Sequence, residues 1–245
     1  MRLDYAALTD PGRARSHNED SVLALELDGG EAFVFAVADG VGGLDAGDEA
    51  SRTVVGELSR TFTAEAGSDD PAGLLVEAIQ RANEAIAANS RANGGSKSGS
   101  TVVAMVLWRG GLAIAHAGDS RAYRLDGTAL EQLTADHSLV AEQVRAGIIS
   151  EAQAANHARK NVITRSVGIS ETLDVETTGP MPLTGGAVFL LCSDGLHGVV
   201  EPSAIASTLA EGGPAEETCR QLIHMANQGG GPDNIGVVLV RVHEV

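Results

Sequence analysis

The chain has little of three things. Only two of its 245 residues are cysteine, and 17 lysines and arginines face 33 acids. No stretch reaches the roughly 18 to 20 consecutive apolar residues of a membrane span. Each shortage excludes something. Cys192 lies in an apolar run and Cys219 in a helical pattern; they match no metal or redox spacing and read as small buried side chains with reduced thiols. The net charge of −16 sets the protein against nucleic acid and anionic membrane surfaces, which would repel it. The amino end, MRLDYAALTD, lacks the apolar core of a signal peptide. The expectation is a cytoplasmic protein with no membrane segment and no fused sensor. No exposed heptad or long apolar stripe demands a dimer, so a monomer is expected.

With 43% apolar residues the chain can bury a full core, read here as one domain over 1–245. Strand-like runs are Phe33 to Ala38, Thr101 to Trp108, Leu112 to Ala117, Arg121 to Leu125, Ala187 to Cys192 and Ile235 to Val242. Helical spacing predicts Asp48 to Ala66, a second helix opened by Asp70 and Pro71, Ser138 to Ala146, a capping box at Ser150 with Gln153, and Pro214 to Gln228. The runs flanking Arg109, Gly110 and Gly111 require an antiparallel hairpin, which rules out a doubly wound parallel sheet. The pattern predicts an α+β sandwich with packed sheets in the middle and helices outside. The Gly/Ser-rich loop Asn89 to Ser100 is no phosphate-binding P-loop, because Ser100, before Thr101, stands where the lysine should follow the last glycine.

The acids stand at particular places. FVFAVADG ends in Asp39-Gly40, LAIAHAGDS in Asp119-Ser120, AVFLLCSDG in Asp194-Gly195, and GPDN sets Asp233 before the last strand. One acid at a strand end is ordinary turn chemistry. Four on the most apolar strands would converge if those strands pack side by side. Two unit charges ~4 Å apart repel by about 4 kcal/mol at an effective dielectric near 20, so protons or cations must compensate. Carboxylates and backbone carbonyls suit Mg²⁺ or Mn²⁺. Upstream, Arg15 precedes Glu19 and Asp20 in RSHNED; a planar, permanently charged fork beside carboxylates suits a phosphoryl group.

The ordered set RSHNEDS, ADGVGG, SGST, GDSR, LTADHS, CSDGL and GPDN resembles the PPM family of metal-dependent protein serine/threonine phosphatases, the type 2C phosphatases, in its short bacterial form. The motifs span Arg15 to Asn234, nearly the whole chain. The resemblance implies a four-layer α-β-β-α sandwich, two antiparallel sheets flanked by helices, with a two-metal centre at one edge. It implies Asp39 bridging two Mn²⁺ or Mg²⁺ ions, the Gly40 carbonyl on one, and Asp194 with Asp233 on the other. Glu19 and Asp20 would act near the ions through water. Asp119 with Asp194 matches the position of a third, more weakly held ion. Arg15 would bind the substrate phosphate and Asn234 would orient the centre. The implied reaction is hydrolysis of phosphoserine and phosphothreonine in proteins by a hydroxide bridging the two ions, opposing a bacterial kinase of the eukaryotic-like type. No cysteine is placed as a nucleophile.

One departure stands out. Many eukaryotic members carry a histidine after the first Asp-Gly as a proposed proton donor to the leaving alkoxide; here the position is Val41. A metal-bound water, His137 or His157 are the candidates. Residues 137–165 correspond to the family's mobile flap and carry Arg145, Arg159, Lys160 and Arg165 against Glu142 and Glu151, either a solvated helical hairpin or a contact surface for phosphorylated peptides. Three other functions are weighed: an inactive relative that binds phosphoproteins, a phosphatase of an anti-sigma-factor antagonist, and a hydrolase of small phosphate esters.

Overall fold

The run FVFAVAD alternates between two environments, both apolar. Phe33, Phe35 and Val37 face one layer, and Val34, Ala36 and Ala38 the other. A strand buried on both faces needs cover on each side, and the fold supplies a second sheet on one and helices on the other.

The computed structural model describes residues 1–42, 46–92 and 98–245. In chain order the strands are β1 (Arg2–Asp10), β2 (Asp20–Leu27), β3 (Ala32–Val41), β4 (Gly99–Ser100), β5 (Val102–Trp108), β6 (Gly111–Ala117), β7 (Arg121–Asp126), β8 (Ala129–Gln132), β9 (Glu176–Met181), β10 (Val188–Cys192) and β11 (Ile235–Glu244). The helices are α1 (Ala46–Ala64), α2 (Pro71–Ala92), α3 (Leu139–Arg145), α4 (Glu151–Ala155), α5 (Asp194–His197), α6 (Pro202–Ala210) and α7 (Ala215–Gln228). One sheet runs β1-β11-β10-β7-β8 and the other β2-β3-β5-β6-β9, with β4 paired to β3; every pairing is antiparallel.

Three cores follow from this layering. Phe35, Met105, Ile114, Phe189 and Leu191 interdigitate between the sheets. Val54, Leu58, Leu75 and Ile79 of α1 and α2 cover the second sheet, and Ile205, Leu209, Cys219 and Leu222 of α6 and α7 cover the first. Each large side chain so buried contributes about 1.5–3 kcal/mol. The expected α+β sandwich of two antiparallel sheets flanked by helices is therefore the observed one. Cys192 and Cys219 are both buried and free.

Local signals held where they rested on hydrogen bonds. Asp70 accepts from the Gly73 amide at the start of α2, Ser138 caps α3, and the Ser150/Gln153 capping box is formed. The hairpin from β5 to β6 closes through Arg109 and Gly110 alone, because Gly111 already pairs with Trp108. Boundaries moved elsewhere: α1 begins at Ala46 and ends at Ala64, and β3 continues past Ala38 through Asp39 to Val41. Patterning omitted β1, β2, β4, β8, β9, α5 and α6. Gly43 of ADGVGG and residues 93–97 of the Gly/Ser-rich loop lie outside the described residues. Among the described residues no helix is long and apolar enough to cross a membrane.

Candidate active site

Because β3 does not stop at Ala38, its alternation sends Asp39 to the same side as Phe33, Phe35 and Val37, into the rim of the layer between the sheets. Its antiparallel neighbour there is Asp20 of β2, in register with it. Two like charges directly opposite each other destabilise a sheet. Asp20 is buried; its Oδ2 accepts from Ser193 Oγ at 2.6 Å, while its buried Oδ1 has no hydrogen-bond partner among the described residues. Ser193 in turn accepts from the Gly236 amide at 2.8 Å, tying β2 to the first sheet.

The other acids close the rim. Asp194 opens α5 directly after β10, Asp119 sits in the turn after β6, and Asp233 precedes β11. Among the described residues no Lys, Arg or His forms an ion pair with Asp20, Asp39, Asp119 or Asp194; Arg15 pairs with Asp233 at 2.8 Å and Arg121 with Asp136 at 2.7 Å. The consequence is proton retention. Removal from water, then Asp20 and Asp194, holds the Asp39 carboxyl well above its usual range. Burial, opposed by the Ser193 hydrogen bond and reinforced by Asp194, pushes Asp20 to about 7. Burial and Asp194 push Asp119 to about 7, and burial and Asp233 push Asp194 to about 6. Burial also raises Glu19.

This donor set fits a hard divalent cation. It offers only oxygens, it repels itself, and one buried carboxylate oxygen lacks a partner. Gly40 fits too: its amide donates to the Glu19 carbonyl, and a β-carbon there would run into the carbonyl oxygen of Gly47. Asn234 is buried and fastens the loop that carries Arg15: Nδ2 donates to the carbonyls of Pro11 and His17 at 2.9 Å, and Oδ1 accepts from the Glu19 amide at 2.8 Å. In the same loop Gly12 has φ +78° and packs so tightly on the Asp233 carbonyl that a β-carbon has no room. Asp39, Asp194, Asp233, Asp20, Glu19, Asp119, Arg15 and Asn234 are thus placed on one edge by five different connections in the chain.

Among the described residues neither candidate histidine bonds a rim acid. His137 is buried beneath residues 138–165: Nδ1 accepts from the Gly118 amide at 3.2 Å, and Nε2 faces Glu176 at 3.0 Å. His157 makes a local turn, accepting from the Arg159 amide. His116, His137 and Glu176 bring possible ligand atoms within 4.8 Å of one another, yet they are no metal site. With its Nδ1 lone pair on Gly118, neutral His137 carries its proton on Nε2 and has no lone pair left for a cation. Its ring also stacks on His116 at 4.6 Å and 9°, so the in-plane lone pairs do not meet.

Beside the acids lies a groove of about 710 Å³, walled on one side by Asp119, Asp194 and Arg121 and on the other by α3, α4 and Lys160. His197 also lines it. Burial, with Arg121 nearby, lowers this imidazole to about 3, so it is neutral. Sequence reading passed over His197, Ser193 and Arg121; the signal was present, since each lies beside an acid already singled out, in CSDGL-His and GDSR.

Arg15 beside inward carboxylates, two of which, Asp119 and Asp194, line a groove, is equipment for phosphoryl chemistry. Residues 12–230 match the family model described as Protein phosphatase 2C. The chain belongs to that family of protein phosphatases. It is 39% identical to the serine/threonine phosphatase stp of Listeria monocytogenes over 239 residues, 95% of this chain and 93% of the relative. Its fold superposes with TM-score 0.90 on the crystal structure of the Mycobacterium tuberculosis serine/threonine phosphatase PstP/Ppp, at 34% identity and 99% coverage of both chains. A structure of the PstP catalytic domain in complex with two manganese ions matches at TM-score 0.86 and 34% identity, again covering 99% of each chain.

Proposed function

We propose that the protein hydrolyses phosphoserine and phosphothreonine in cytoplasmic phosphoproteins, opposing a serine/threonine kinase, with Mn²⁺ or Mg²⁺ as cofactor and the chain acting as one catalytic domain with a flap over 137–165. The observation that carries this is the set of inward acids that retain protons for want of a counter-charge, closed by Arg15. Asp39 and the Gly40 carbonyl, with Asp194 and Asp233, would hold two ions, Asp119 with Asp194 a third, and Glu19 and Asp20 would hold water around them. Bound ions of this kind lower the pKa of a water and offset charge on phosphoryl oxygens.

The chain's own residues do the rest. Arg15 is half exposed and its fork lies on Asp233, from which it can turn to two oxygens of an arriving phosphate. Asn234 keeps that arginine's loop at the rim. Water oxygen adds to phosphorus, the bond to the serine or threonine oxygen breaks, and that alkoxide takes a proton. Val41 has none to give, and His137 supports the centre from outside by fixing the Gly118 amide. The groove suits the peptide around the phosphoresidue: Val140, Ala141, Val144 and Ala154 offer apolar contact, with Arg145 and Lys160 beside them.

The relatives' names support the substrate class, and the manganese-bound PstP domain supports the metal. Phosphate release from a phosphothreonine peptide with Mn²⁺ tests both. Release that a chelator abolishes, and that exceeds release from nucleotides and phosphotyrosine peptide, is the expected result. Faster turnover of nucleotides would establish a small-ester hydrolase, and no turnover despite bound metal a phosphoprotein-binding relative.

A further inference from the structure

His197 stands three residues after Asp194 on the short helix α5, and its Nε2 lies 3.0 Å from the backbone carbonyl oxygen of Asp119. A carbonyl only accepts, so Nε2 carries the proton and donates. The neighbours of Asp119 are held from another direction: Gly118 exchanges hydrogen bonds with His137, and Ser120 Oγ meets Thr101 Oγ1 at 2.7 Å. Asp119 itself is held from the Asp194 side, by this imidazole. The helix fixes where the ring starts, because the Gly198 amide donates to the Asp194 carbonyl at 2.8 Å and closes the single turn. One rigid turn therefore presents a carboxylate to the rim with its first residue and grips the opposing acid's backbone with its last.

We propose that His197 is a positioning residue that sets the stance of Asp119 towards Asp194, and through it the affinity of the cation those two acids share. This rests on the metal reading given above. The ring itself need not touch an ion or the substrate. Outer partners that orient metal ligands commonly change affinity by 10–100-fold when removed.

The test is calorimetric titration of Mn²⁺ into metal-free full-length protein, comparing wild type, Asp119→Asn, His197→Phe and His197→Gln, with metal-free Tm recorded for each. Phe fills the ring's space without a donor, and Gln places an amide N–H at similar reach. His197→Phe is expected to weaken at least ~10-fold the ion that Asp119→Asn abolishes, leaving the remaining ions unchanged, and His197→Gln to stay within about threefold of wild type. An unchanged ion in His197→Phe would overturn the inference while leaving the metal reading intact. So would equal weakening of every ion, equal loss in the Gln variant, or an Asp119→Asn protein that loses no ion. A wild type that binds no Mn²⁺ would overturn both.

Discussion

At the Trp108 end of the sheets, Glu31 just before β3 meets Arg109 of the β5–β6 turn at 2.7 Å, both largely in solvent. At the other end of β3, Asp39 and its neighbour Asp20 face inward, and among the described residues neither has an ion-pair partner. The first arrangement is cheap and nearly neutral, worth about 0–1 kcal/mol per exposed pair. The second opposes folding, since each carboxyl either keeps a proton it would lose in water or stands charged and desolvated. Both ends belong to one strand, so neither composition nor local propensity explains the difference. The difference is that one end carries its own counter-charge at the surface, while the other sets two acids against each other in the rim between the sheets.

Changes at the two ends are therefore expected to differ in kind. Asp39→Asn should lower phosphate release at least ~10³-fold, about 4 kcal/mol of barrier, without lowering the metal-free Tm at pH 8, because it removes a repelling charge. A variant that lost both activity and metal-free stability would make Asp39 structural and erase the contrast. Arg15→Ala should cost about 10–100-fold in kcat/KM, and Arg15→Lys should restore only part, since an ammonium lacks the fork.

The contrast also has a pH signature. Asp20 and Asp119 near 7 and Asp194 near 6 lie above their usual value of 3.8, so the folded protein binds more protons than the unfolded chain between about pH 4 and 7. Stability contributed by these carboxyls is complete below the unfolded value and is lost as pH rises through 6 and 7. Metal-free protein should lose at least ~5 °C in Tm from pH 5 to pH 8, and saturating Mn²⁺ should flatten that slope. Smallest of all, Arg109→Ala at the solvent end should shift Tm by less than ~3 °C and leave turnover within about twofold.

What could be read without coordinates divides along the same line. The central strands announced themselves because β3, β5, β6, β10 and β11 are apolar on both faces, and their terminal acids stood out against that background. The strands β1, β2 and β9 are only partly covered, so RLDYAALTD and DSVLALEL carry mixed burial and no clean alternation. For that reason Asp20 read only as an acid following Arg15, with no sign that it belongs to β2 and opposes Asp39. That pairing is long-range and leaves no periodic trace. The grip of His197 on Asp119 is of the same kind, joining residues 78 positions apart.

Cation uptake by the inward acids is the property on which the proposed function most depends. Titrating Mn²⁺ into metal-free wild type and Asp39→Asn at pH 7, with heat and Tm recorded together, decides it. Wild type should bind at least two ions and gain Tm on loading, as a ligand that binds only the folded state requires, and Asp39→Asn should lose the tight binding and most of that gain. Wild type that takes up no Mn²⁺, or an Asp39→Asn protein that binds it as well as wild type, would contradict the claim that the repelling rim is a cation site.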